Sequence, residues 1–353
     1  MPAHPLESAT AGCPSRSLAT DPASSARRLS VAPMMDWSDR HCRHFHRVLA
    51  PHALLYTEMI VAEAIVRGDR AKLLDFDRSE HPVALQLGGA EPATLAAAAR
   101  IGEEWGYDEI NLNVGCPSER VQSATFGACL MATPARVAEG VAAMRAAVKV
   151  PVTVKCRIGI DDTEGYEFLS AFVDEVARTG CDTFIVHARK AILSGLSPRE
   201  NREVPPLHYD VVWRLKAERP SLTIVINGGI RDVESARQHW ERVDGVMIGR
   251  EAYHNPYFLA ALDRLAWPER AAPIPAPGEV IAALEPYVRS RLARGERLHA
   301  ISRHLLGLYA HRAGARAFRR VISELAPRAG AGFEVLAAAL RAAEGAAPLK
   351  RSA

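Results

Sequence analysis

The sequence predicts a (β/α)8 barrel followed by a small all-helical domain, on three observations. Short β-branched or apolar runs recur eight times, each followed by a stretch with helical periodicity. A barrel of this kind takes roughly 250 residues, so a chain of 353 holds one and an appendage. After the eighth run comes AAPIPAPG, residues 271–278, whose prolines suit a stiff linker, and helical periodicity resumes beyond it.

Taken in order, residues 1–28 are rich in Ser, Ala and Pro with no apolar run, so a disordered tail is expected rather than a secretory signal; Glu7 and Asp21 argue against a transit peptide. Residues 29–270 are expected to form the barrel. Its strands are expected near Leu29–Pro33, Leu54–Thr57, Val83–Leu87, Glu109–Asn113, Val152–Cys156, Thr183–His187, Thr223–Asn227 and Gly245–Ile248. Eight such units with helix-length spacers favour a closed barrel over an open doubly wound sheet. In residues 279–345, Val280–Ala293, Leu298–Ala313 and Phe333–Ala343 read as helices with Arg on one side.

Composition narrows the class. Hydrophobic residues at 48% and charged residues at 24% support a packed core and argue against a disordered or fibrous chain. Charges interrupt every Ala-rich run, so no membrane span is expected. The six cysteines, Cys13, Cys42, Cys116, Cys129, Cys156 and Cys181, have no CxxC or other metal-ligand spacing; no metal site is expected, and a reducing cytoplasm is. The net charge of +3 is unevenly spread, because residues 278–353 carry 13 Lys and Arg against 6 Asp and Glu. The basic charge thus sits in the C-terminal segment.

In such a barrel the chemistry sits at the C-terminal strand ends. Reading those ends collects Pro33, Met34, Met35 and Asp36; Thr57 and Glu58; Gln86; Asn111, Asn113 and Cys116; Lys155 and Arg157; His187, Arg189 and Lys190; Asn227, Gly228 and Gly229; and Gly249 and Arg250. Adjacent ends with GG and GR offer bare backbone amides and a fixed cation, a phosphate cradle, although a glycine pair by itself also reads as a tight turn. Gln86, Lys155 and His187 supply donors and positive charge suited to the pyrimidine edge of a reduced flavin, although singly a His or Lys there reads equally as structure or surface. Cys116 lies in NLNVGCPS between a glycine that permits close backbone approach and a proline that fixes the turn. A thiol is mostly protonated at neutral pH, so one aimed at a substrate can act as a general acid. Cys42, Cys156 and Cys181 read as small buried apolar residues.

These segments, VAPMMDWSDRHCR, LQLGG, NLNVGCPS, VKCRIGID, VHARKAILSGLSPRENREVPPLHY, NGGI and MIGREAY, together resemble the tRNA-dihydrouridine synthases from about Leu29 to Ala343. HARKA and GLSPRENREVPPL resemble the bacterial branch that modifies positions 20 and 20a of the D-loop. The resemblance implies FMN as cofactor and NADPH as reductant. It makes Pro33, Met34 and Met35 backbone or packing contacts to FMN, Gln86, Lys155 and His187 contacts to its ring and ribityl region, and Asn227, Gly228, Gly229, Gly249 and Arg250 the holders of its phosphate. Cys116 matches the catalytic cysteine that protonates C5 of the uracil while hydride reaches C6, and Asn113 matches a residue contacting the target uridine. Arg189 and Lys190, with Arg199, Asn201 and Arg202 of the insertion, are expected on the RNA side. Arg303, Arg312, Arg316, Arg319 and Arg320 have spacings compatible with a helical stripe plus a turn facing phosphates, or with a solvated helix face; the resemblance favours RNA for Arg316, Arg319 and Arg320. One departure is Ile192, where the family pattern has an aromatic.

Two other readings remain at this point. A dihydroorotate dehydrogenase-like oxidoreductase would act on free pyrimidines and would not need a basic helical appendage. A non-catalytic tRNA-binding protein would not need Cys116, Lys155 or the phosphate glycines. A monomer in the cytoplasm is expected, with tRNA as partner.

Overall fold

The computed structural model describes residues 27–118, 121–122, 126–163 and 165–345. Eight parallel strands, β1 Leu29–Val31, β2 Leu54–Val61, β3 Val83–Gly88, β4 Glu109–Val114, β5 Val152–Arg157, β6 Thr183–His187, β7 Thr223–Asn227 and β8 Gly245–Ile248, close in sequence order, with β8 pairing back onto β1. Helices alternate with them: α1 Arg40–Leu49, α2 Ala62–Arg67, α3 Arg70–Leu74, α4 Pro92–Glu104, α5 Pro134–Ala147, α6 Tyr166–Ala177, α7 Tyr209–Glu218, α8 Val233–Trp240, α9 Arg250–His254 and α10 Pro256–Ala266. This is the expected (β/α)8 barrel. The second strand runs past the expected end at Thr57, through a register irregularity between Tyr56 and Met59.

The strands obey the two-residue side-chain period. Ile110, Leu112 and Val114 of β4 and Val152, Val154 and Cys156 of β5 join the apolar layer under the helices. Their neighbours Glu109, Asn111, Asn113, Thr153 and Lys155 therefore point into the barrel. Around the rest of the interior, Leu54, Tyr56, Ala84, Ile185, Val225 and Met247 form an apolar plug. The barrel lumen thus holds a polar line along β4 and β5 beside an apolar filling.

Local chemistry sets the helix starts. Asp39 caps α1 by accepting from the backbone N–H groups of His41 and Cys42, both at 3.0 Å, and Asp232 caps α8 through Ser235. Proline occupies the first turn of α4, α5 and α10, where no N–H is needed.

Four helices follow: α11 Pro277–Ala293, α12 Leu298–Ser302, α13 Ala315–Leu325 and α14 Glu334–Glu344. Their apolar faces form a separate cluster that also takes in Phe45 and Leu49 of α1 and Ala260 of α10. Asp39 joins the two regions, accepting from Arg303 at 2.7 Å while His304 Nε2 lies at 3.0 Å.

Several expectations are corrected. Arg27 and Arg28, assigned to the tail, belong to the barrel: Arg27 is buried against Glu109 at 2.8 Å, and the Arg28 carbonyl accepts from Val246 and from Trp240. Residues 1–26, with Cys13, lie outside the described residues. Helix α11 begins inside the expected linker, because Pro277 is at home in a first turn and Glu279 accepts from the Ala276 N–H at 2.6 Å. The expected helix Leu298–Ala313 passes into 3₁₀ turns at Arg303–Gly307, where Gly307 packs against the Tyr253 carbonyl with no room for a Cβ. Its basic stripe is shortened too: Arg303 pairs with Asp39, and Arg312 stacks over Tyr257 at 3.9 Å.

Among the described residues, no helix is long and apolar enough to cross a membrane. No group of three or more His, Cys, Asp or Glu side chains among them is placed to hold a metal ion.

Candidate active site and cofactor cradle

The C-terminal strand ends surround a cavity of about 610 Å³. Cys116, Asn113, Pro33, Met34, Met35, Gln86, Lys155, His187, Asn227, Gly228, Gly229, Gly249 and Arg250 all line it, as does Arg202 from the insertion. Register brings them together: Asn113 lies beside Lys155, Arg157 beside His187, and His187 beside Asn227.

Cys116 is half-buried. Its backbone N–H, like that of Gly115, is held by Asn113 Oδ1 at 3.0 and 3.1 Å, and its carbonyl accepts from Ala128 at 2.9 Å. Gly127, at φ +81°, packs so closely that a Cβ would lie 2.7 Å from that carbonyl. Arg157 adds a third restraint, donating to the carbonyls of Gly115, Lys190 and Asn201 at 2.9–3.1 Å. The thiol is thus mounted on a loop tied by backbone contacts on three sides.

Charge in the cavity is lopsided. Five cations line it, Lys155, Arg157, Arg202, Arg231 and Arg250, against two carboxylates, Asp36 and Glu251. Burial, helped by neighbouring Arg157, lowers the Lys155 pKa to about 8; its ammonium donates to Asn227 Oδ1 at 3.1 Å, and Asn227 is itself fixed by donation to the Met247 carbonyl. Burial, followed by the charges of Arg157 and Lys155, pushes His187 well below the usual imidazole range, so it is neutral. Its Nδ1 is buried with no protein partner. Orphaned buried polar atoms are rare in folded proteins, and a bound ligand is one way to satisfy them.

The glycines at the ends of β7 and β8 bring bare backbone to the same cavity. Gly228 at φ +115° and Gly229 at φ +70° adopt backbone that other residues resist. A Cβ on Gly229 would come within 2.5 Å of Leu207, whereas one on Gly249, which lines the cavity, would meet only Ala32 at 3.8 Å. The set of donors, cations and bare backbone fits a phosphorylated flavin.

Other expected contacts fall elsewhere. Asn201 is fully buried, clamping Ile192 through both backbone groups at 2.7 and 2.8 Å, so it organises the insertion and has no surface to offer RNA. Arg189 is half-buried and donates to the Pro205 carbonyl; Lys190 is likewise half-buried beside it. Arg250 is paired with Glu203 of the insertion. Arg316, Arg319 and Arg320 are exposed on α13, with no ion pair or hydrogen bond among the described residues.

The sequence places Arg157 at its strand end without indicating a task for it. Nor does it reveal the rim aromatics: Trp37 stacks on Tyr253 at 4.4 Å with His254 edge-on at 5.0 Å, and Trp37 and His254 line the cavity. No local periodicity links residues 37 and 253, so only the fold brings them together.

The dihydrouridine synthase (Dus) family model matches residues 30–344. The chain is 57% identical over 321 residues to a tRNA-dihydrouridine(20/20a) synthase of Xanthomonas axonopodis pv. citri, covering 91% of this chain and 95% of the relative. A protein of the same name from Synechocystis is 56% identical over 319 residues (90% and 95% covered), and one from Vibrio cholerae 55% over 314 (89% and 95%).

Proposed function

Since the chain belongs to the dihydrouridine synthase family, we propose that it reduces the C5=C6 bond of uridines at positions 20 and 20a of the tRNA D-loop, using FMN and NADPH. The single observation that carries this reading is the placement of Cys116 on one wall of a cation-rich cavity that also gathers every residue expected to hold FMN.

Gln86, Lys155 and His187 would hold the flavin ring and ribityl region, and Gly228, Gly229, Gly249 and Arg250 its phosphate, with Asn227 orienting Lys155. Bound and reduced by NADPH, FMN would supply the hydride that adds to C6 of the uracil. The Cys116 Sγ–H donates its proton to C5, which completes the saturated C5–C6 bond and leaves a thiolate that solvent reprotonates. Asn113 holds the loop carrying that thiol, and Arg157 holds it from the other side. The target base must leave the RNA stack to reach the cavity. Arg202 at the rim and Arg316, Arg319 and Arg320 on α13 are the cations proposed to grip the tRNA backbone. The working form is proposed to be a cytoplasmic monomer.

The test is to incubate the protein with NADPH and unmodified tRNA transcripts and map dihydrouridine by nucleotide, with Cys116→Ala alongside. Dihydrouridine at 20 or 20a, strongly slowed in the variant while the yellow FMN spectrum persists, is the expected result. A flavin-loaded protein that reduces no tRNA uridine but reduces free pyrimidines would overturn the tRNA assignment.

A further inference from the structure

A continuous line of hydrogen bonds runs through the polar part of the lumen, from the floor of the barrel to the backbone of Cys116. Asn113 Oδ1 accepts the N–H groups of Gly115 and Cys116, so the other end of that amide must donate, and Nδ2 does so to Gln86 Oε1 at 2.8 Å. Gln86 Nε2 then donates to Asn111 Oδ1 at 2.7 Å, and Asn111 Nδ2 to Thr153 Oγ1 at 2.8 Å. The Thr153 hydroxyl donates in turn to Glu109 Oε1 at 2.6 Å. There the line ends on a carboxylate, which also accepts from the Tyr56 hydroxyl at 2.6 Å and is paired with Arg27. Glu109, Thr153, Asn111 and Gln86 are all within 1% of full burial.

The polarity is fixed at both ends. No amide can flip without setting donor against donor on one side and acceptor against acceptor on the other, each an unsatisfied buried group costing about 1–3 kcal/mol. We propose that Thr153 and Asn111 are positioning residues for Cys116, transmitting the fixed acceptor at Glu109 up the lumen to the loop that carries the thiol. The proposal rests on the reading of Cys116 as proton donor. Neither Thr153 nor Asn111 lines the cavity, so both act through Gln86 and Asn113. Elsewhere the lumen is filled mainly by apolar side chains, among them Leu54, Ile185, Val225 and Met247, as barrel interiors commonly are.

The test compares Thr153→Val, which keeps shape and removes the hydroxyl, with Thr153→Ser, which keeps the hydroxyl. Two readouts are taken on FMN-loaded protein: the single-turnover rate of uridine reduction on tRNA, and the rate at which iodoacetamide alkylates Cys116, followed by the mass of its peptide. In Thr153→Val the turnover rate is expected to fall about tenfold and alkylation to change at least about threefold, at unchanged FMN absorbance and tRNA affinity; Thr153→Ser should stay within about twofold of the unmutated protein on both. Folded Thr153→Val matching the unmutated protein on either readout, or Thr153→Ser failing as Val does, overturns the proposal. Should the unmutated enzyme reduce no tRNA uridine, the proposed function fails, and alkylation alone still judges the relay. Should Thr153→Val not fold, hydrogen exchange on the unmutated protein decides: slow exchange at the Gly115 and Cys116 amides supports the restraint, and exchange as fast as an unprotected loop overturns it.

Discussion

Arg27 at the floor of the barrel and Arg157 at its mouth are both buried guanidinium groups, yet among the described residues only the first meets a carboxylate. Glu109 lies 2.8 Å from Arg27; burial opposes that charge, but the partner more than compensates and the Arg27 pKa is raised. Arg157 has carbonyl partners, and burial lowers its pKa to about 10. A charge that finds its counterion inside the chain serves the fold. Charges without one, as Lys155 and Arg157 are at this cavity, leave a place for an anion from outside.

The sharpest break in that comparison comes from Cys116→Ala. It should cost two to four orders of magnitude in the rate of uridine reduction, roughly the worth of a positioned general acid, with no measurable change in urea unfolding. Next in size, Arg27→Met acts on stability: stranding Glu109 in the floor should destabilise the fold by about 3–5 kcal/mol in urea titrations. A drop in stability under about 1 kcal/mol would show that the floor pair is not structural.

Lys155 sharpens the contrast through pH. Its native pKa of about 8 lies below the ordinary lysine value. Above about pH 8 the native protein has shed a proton that the unfolded chain keeps, so stability of the FMN-free protein should rise from pH 8 toward 10. Affinity for FMN should move the other way, weakening by up to about tenfold per pH unit over the same range as the cation is lost. Fluorescence titration of FMN and parallel unfolding curves measure both; the same sign in both would place Lys155 away from the anion.

The smallest effect belongs to cations that are neither buried nor paired. Replacing Arg316, Arg319 and Arg320 together by Ala should weaken tRNA binding and flatten its dependence on log salt by roughly 0.7–0.9 for each phosphate no longer neutralised. FMN content should stay the same. An unchanged slope would leave these side chains as solvated surface.

Much of this was legible in the chain itself. Eight strands were readable because β-branched and apolar runs mark them, and three match to the residue, β6, β7 and β8. The cavity residues were readable because strand ends are the place where a barrel displays polar groups. What stayed hidden depends on pairings between distant residues. Arg27 and Glu109 are 82 positions apart, Asp39 and His304 265, and no local pattern announces either contact. Asn201 misled for a related reason: in a rim insertion rich in Arg and Glu it reads as surface, and only the folded loop shows its amide turned inward. The strand ends made Asn111 and Asn113 legible, but their linkage to Gln86 came only from the register that sets Gln86 beside Asn111.

Helix α1 has a double allegiance with a bearing on how the protein is made. Its Phe45 and Leu49 are translated early, yet they pack with Val280, Leu305 and Leu336 of the final helices. At roughly 5–20 residues per second, the ribosome needs about 15–60 s to travel from one set to the other. Throughout that interval the nascent barrel carries an uncovered apolar strip, which makes the last-made helices the ones that seal the first.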